Sequence, residues 1–150
     1  MRRCLTALAV GLAVLMLAAC GGGDDEEFSE DFPGLSERIA ALGQDVGSAL
    51  ETADNATDRE LAEQFEGFEQ RLGELRQDLE DLEPPDDLAD ERDDLVGAMG
   101  DVRESLGDIA AAAEDGDPQA AREATLELAE GSTELRDARE ALNRAVREAE

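Results

Sequence analysis

The sequence predicts an all-α protein, an antiparallel four-helix bundle with coiled-coil-like heptad seams. A three-helix array with a loosely docked first helix is the alternative. Three observations carry this reading. Apolar residues recur at intervals of three and four along most of the chain, the spacing that lines one face of a helix. Two proline-containing breaks, at Pro84-Pro85 and at Gly116-Asp117-Pro118, cut the repeat into pieces too short for one continuous coiled coil. No segment carries a strand signal.

Leu35, Ile39, Leu42, Val46, Ala49 and Ala53 step by four and three and define the first and shortest helix. Thr57-Asp58-Arg59-Glu60 then matches a capping box, in which a hydroxyl and a carboxylate satisfy the orphan amide donors of a helix start. Leu61, Phe65, Phe68, Leu72, Leu75, Leu79 and Leu82 follow without a break and are the strongest helical signal in the chain. Pro84-Pro85 ends that helix, because the residue before a proline is pushed out of the helical region. Pro85 fits the first turn of a third helix. Its seam runs through Leu88, Leu95, Met99, Val102, Leu106, Ile109 and Ala113, with Arg92 as a polar interruption.

Asp117 is the expected cap of a fourth helix, with Pro118 in its first turn. Leu128, Leu135 and Leu142 recur there at sevens, and Ala124, Gly131, Ala138 and Ala145 interleave with them. A stripe alternating leucine with alanine or glycine permits close approach of a neighbouring helix. Gly43, Gly47, Gly67, Gly73, Gly97, Gly100 and Gly107 lie inside the helices, mostly off the seam. Each costs up to about 1 kcal/mol against alanine, so the bundle is expected to be only modestly stable.

Charge narrows the function classes. The chain has 13 basic and 40 acidic residues, a formal net charge of −27, and no histidine. All the basic residues are arginine. So acidic a body repels nucleic acid, and no nucleic-acid partner is expected. The scarcity of Lys, Asn, Ile and Tyr beside abundant Ala, Gly, Arg and Asp suggests a GC-rich genome.

The amino terminus opens with Arg2 and Arg3 and continues as an uncharged run from Leu5 to Ala19. Fifteen residues fall short of the roughly 20 a membrane-spanning helix needs, and the flanks suit a secretory signal. Its end, Leu17-Ala18-Ala19-Cys20, resembles the lipobox of bacterial lipoproteins. The resemblance covers residues 1–20. It implies cleavage after Ala19, diacylglycerol on the thiol of Cys20, and a membrane partnership through acyl chains at the extracytoplasmic face of the cell membrane. Two or more acyl chains, at about 0.8 kcal/mol per buried CH₂, anchor a chain stably where one does not. In general layout the chain resembles small helical lipoproteins of high-GC bacteria such as actinobacteria.

The expected organisation is therefore a cleaved signal peptide at 1–19, a lipidated cysteine with a flexible acidic tether at 20–34, and a helical bundle at 35–150. Loss of Arg2 and Arg3 with the signal takes the formal charge from −27 to −29. Cys4 leaves with the signal as well, so no thiol remains for a disulfide, a nucleophile or a metal.

In an up-down-up-down bundle the tether, the Pro84-Pro85 turn and the carboxyl terminus share one pole. Asp86, Asp87, Asp90 and Glu91 crowd that turn and are the candidates for a divalent cation, since hard Ca²⁺ prefers carboxylate oxygens. They lack EF-hand spacing, and a solvated acidic face is the expectation, with no metal and no cofactor. Arg136, Arg139, Arg144 and Arg147 approach the same pole, and Arg136, Glu140, Arg144 and Glu148 form an i,i+4 ladder. Arg92 is expected to be paired or at the surface. Asn55-Ala56-Thr57 matches a glycosylation triplet but reads as the loop before the capping box. Phe65 and Phe68 sit at heptad positions and read as core.

Without histidine, lysine, tyrosine or a free thiol, the mature chain lacks the usual general bases and nucleophiles. The expectation is a non-catalytic envelope protein acting as a structural or protein-interaction module, through a protein partner or self-association. The alternative is a bundle that binds a ligand or a divalent cation at the cell surface.

Overall fold

The computed structural model describes residues 24–149. The expected signal peptide and Cys20 lie outside the described residues. Within them the chain forms four long helices and no strand: α1 Asp24–Thr52, α2 Asp58–Asp81, α3 Ala89–Asp115 and α4 Pro118–Ala149. Short 3₁₀ turns, Ala53–Asn55 and Asp86–Leu88, precede α2 and α3. None of these helices is long and apolar enough to cross a membrane.

Neighbouring helices run antiparallel. Arg38 of α1 meets Asp78 of α2, while Asp45 meets Arg71, so the numbers rise on one helix as they fall on the other. The tightest pairings are α2 with α3 and α3 with α4, and α1 lies more loosely against α2 and α4. The four-helix form is therefore the observed one, and it keeps the loose first helix of the three-helix alternative.

The ends follow local chemistry. At α2 the amide of Thr57 donates to Glu60 Oε2 at 2.9 Å, and the Glu60 amide donates back to Thr57 Oγ1 at 3.3 Å. Both halves of the capping box are thus made. At α4, Asp117 Oδ1 accepts from the amides of Gln119 at 3.0 Å and Ala120 at 3.1 Å, with Pro118 as the first helical residue. Between them Gly116 takes φ 63°, and the Asp117 amide reaches back to the Ala112 carbonyl at 2.9 Å. Only glycine enters that left-handed region freely, which is why the chain can reverse there.

The core is one apolar cluster drawn from all four helices. Phe65, Leu72, Leu79, Leu95, Met99, Leu106, Leu128 and Leu142 are its most enclosed side chains, with Phe28 and Phe32. Burial of each such side chain contributes about 1.5–3 kcal/mol. Phe65 and Phe68 meet edge to face, with ring centroids 5.7 Å apart, so they are core as expected.

Three expectations require correction. The first helix begins at Asp24, not Leu35, so residues 24–34 are not a tether and the folded body is not confined to 35–150. Phe28 and Phe32 stack in parallel at 5.5 Å and are 1% and 0% exposed. They extend the apolar stripe upstream, and their burial outweighs both the surrounding acid run and the amide missing at Pro33, which lies on the exposed side of α1. Second, at 29 residues α1 is longer than the 24-residue α2, so its loose docking does not come from shortness. Third, Pro85 does not enter α3. It precedes the turn Asp86–Leu88, whose Leu88 amide donates to the Pro85 carbonyl at 2.9 Å.

Candidate functional site

The Pro84-Pro85 pole gathers the expected partners only in part. Glu27 and Phe28 of α1 border the same groove as Asp81, Leu82 and Glu83, and the Asp86–Leu88 turn touches α4. Asp86, Asp87 and Asp90 are exposed and Glu91 is half-buried. Among the described residues no group of three or more carboxylates is arranged to hold a metal ion, so these four are not brought together as a site. Arg92 is half-buried, and its Nε lies 3.4 Å from Asp93 Oδ1.

Two of the α4 arginines expected at this turn, Arg136 and Arg139, have their contacts elsewhere. Among the described residues Arg136 pairs with its sequence neighbour Asp137 at 3.2 Å, and the ladder through Glu140, Arg144 and Glu148 is not made. Arg136 and Arg139 lie further up α4, facing α1. There they border a cleft of about 330 Å³ between α1 and α4. That volume falls at the lower end of the range of about 300–1,000 Å³ typical of small-molecule sites.

The cleft follows from the residues on each wall. Near the Pro84-Pro85 pole, the Asn143 amide donates to Ser36 Oγ at 2.7 Å and holds α4 to α1. Higher up, α4 is drawn toward α3 instead: a Cβ added at Gly131 would stand 3.3 Å from Val102 Cγ2. On the opposite wall α1 carries Gly43, where an added Cβ would meet nothing within 4 Å. Tight packing on one side of α4 and a missing side chain on α1 leave a gap. Ile39, Leu42 and Val46 line it from α1, and Leu128 and Leu135 from α4, with Leu72, Val102 and Leu106 as its floor.

Its electrostatics differ from the rest of the molecule. In a chain with 40 acidic side chains, no Asp or Glu among the described residues lines this cleft, whose polar edge is Gln44, Ser132, Arg136 and Arg139. The half-buried Arg139 donates to the Ser36 carbonyl at 3.4 Å and, among the described residues, has no carboxylate within 4.0 Å. The groove on the other flank of α4 is the opposite case. Asp101, Glu104, Asp108, Glu127, Glu130 and Glu134 line it beside Ser105 and Gly131, with no arginine among the described residues.

Sequence reasoning missed this cleft. Leu135, Arg136 and Arg139 were legible as helix residues, but a gap between helices depends on how closely neighbours approach. The usable signal is Gly43 on the α1 wall together with Gly131, which lets α4 approach α3 on its other flank.

Comparison with known proteins finds no family model, no curated protein and no solved structure that matches this chain.

Proposed function

We propose that this chain is a non-catalytic, lipid-anchored helical module of the cell envelope. Acyl chains on Cys20 hold it to the extracytoplasmic face of the cell membrane, where it acts as a structural or protein-interaction unit. The observation that carries this reading is Leu17-Ala18-Ala19-Cys20 at the end of an uncharged run, a few residues ahead of α1. The residue inventory supports binding over catalysis: the chain has no histidine and no lysine, and its two thiols lie at positions 4 and 20.

The test is fractionation of cells making the wild-type chain or Cys20→Ala after labelling with radioactive palmitate. The wild type is expected in the membrane fraction carrying label, and the variant outside it without label. A Cys20→Ala chain that still sediments with membranes overturns the anchor. Cross-linking in the native envelope then separates an adaptor, with one dominant partner, from a self-associating spacer.

A second reading, a ligand-binding bundle, is favoured by the cleft between α1 and α4. The divalent-cation form of that reading has less support, since the acidic turn gathers no ligand set among the described residues.

A further inference from the structure

We infer that the cleft between α1 and α4 takes a single-chain anionic amphiphile, specifically a free fatty carboxylate. The acyl chain lies along Ile39, Val46 and Leu135, and Arg136 and Arg139 hold the carboxylate. The inference rests on the ligand-binding reading above and supplies the ligand class.

Shape gives the tail. The lining is mostly aliphatic and joins the core, so an apolar chain placed there leaves water for a hydrocarbon wall. From Arg139 to Leu128 the groove follows eleven residues of α4, about 16 Å of helix. A volume of about 330 Å³ suits one slender chain.

Charge gives the head. Arg136 and Arg139 stand about one helical turn apart on one wall, so both guanidinium groups can reach one head group. Arginine presents a planar fork of donors that matches a carboxylate. Among the described residues no carboxylate lines the cleft to neutralise these arginines from within, and the partner of Arg136, Asp137, belongs to its own helix. A cationic head would find no counter-charge in the lining. A neutral head would leave the half-buried Arg139 without an anion.

The test is photo-labelling of the full-length chain in native membranes with a diazirine-bearing palmitate, followed by peptide mapping. Parallel arms use the same photoreactive chain ending in an alcohol and in a lysophospholipid head. Label is expected on peptides spanning Ile39–Val46 and Ser132–Leu135, competed away by unlabelled palmitate. Arg136→Gln with Arg139→Gln should lower palmitate labelling roughly tenfold or more and leave alcohol labelling unchanged. Gly43→Leu adds a side chain where no atom lies within 4 Å, so it should fill the cleft and abolish labelling while helix content stays intact.

Palmitate and alcohol labelling the cleft equally, or palmitate labelling indifferent to the arginine pair, overturns the carboxylate inference and leaves the ligand-binding reading standing. Preferential labelling by the lysophospholipid overturns the free-carboxylate assignment in the same way. No label in the cleft from any probe overturns both the inference and the reading it rests on.

Discussion

Asn143 donates its side-chain amide to the buried hydroxyl of Ser36 at 2.7 Å, joining the last helix to the first. The same amide also donates to the Arg139 carbonyl at 2.9 Å, within its own helix. The pair is a polar tie on the loosely held side of the bundle. Removal of one partner of a buried hydrogen bond leaves the other desolvated and unpaired.

Asn143→Ala is therefore expected to destabilise the fold by about 1–2 kcal/mol. Ser36→Ala should destabilise it less, because it removes the buried polar atom itself. Urea unfolding of both single variants and the double variant checks this, and the double should fall short of the sum.

Phe32→Ala tests where the folded body begins. A side chain 0% exposed and stacked on Phe28 belongs to the core, and its truncation is expected to destabilise the protein by about 3 kcal/mol. A change below about 0.5 kcal/mol in the same urea assay, the size of an ordinary surface substitution, would return residues 24–34 to a tether.

Two glycines should respond oppositely. Gly97→Ala adds a methyl group to an exposed helix position with nothing within 4 Å and is expected to stabilise by about 0.5–1 kcal/mol. Gly131→Leu forces bulk into the approach of α4 to Val102, 3.3 Å from the first added atom, and is expected to destabilise by about 1–3 kcal/mol. Thermal melts of the two variants beside the wild type decide it.

The capping box makes a pH prediction. Hydrogen bonds from the Thr57 amide and hydroxyl hold the Glu60 carboxyl below its ordinary range. A depressed folded-state pKa contributes stability above the unfolded-state value and loses it as pH falls through the folded one. Acidification also relieves the self-repulsion of the net −27 charge, so the informative quantity is the difference between wild type and Glu60→Gln. That difference should favour the wild type at neutral pH and vanish in acid. A difference constant across the titration would mean that the carboxylate does not act through its charge.

Legibility followed the range of the interaction. The run from Leu61 to Leu82 and the caps at Thr57 and Asp117 depend on residues a few positions apart, and each is where its local chemistry placed it. Phe28 and Phe32 sit in an acid run whose composition resembles a linker, and composition does not weigh two phenylalanines against their charged neighbours. Spacing along α4 predicts a ladder for Arg136, but spacing on one helix does not reveal the nearer carboxylate of Asp137 or the space beside α1. The cleft itself is a difference between two interhelical distances, set by Gly131 on one flank of α4 and by Gly43 on the other.

The early start of α1 changes how the proposed anchor would act mechanically. From Cys20 to Asp24 the chain spans at most about 14 Å, against about 50 Å for a tether reaching Leu35. On so short a tie the bundle would stand as a post, not as a buoy on a line. The 29 residues of α1 rise about 44 Å, so the turns at Ala53–Asn55 and Gly116 would keep to a narrow range of heights above the bilayer. The acidic Pro84-Pro85 end would face the head groups within about two Debye lengths, each about 8 Å at physiological ionic strength. Helix length would then set how far from the membrane a partner is met, and the salt in the surrounding fluid how steeply the post leans.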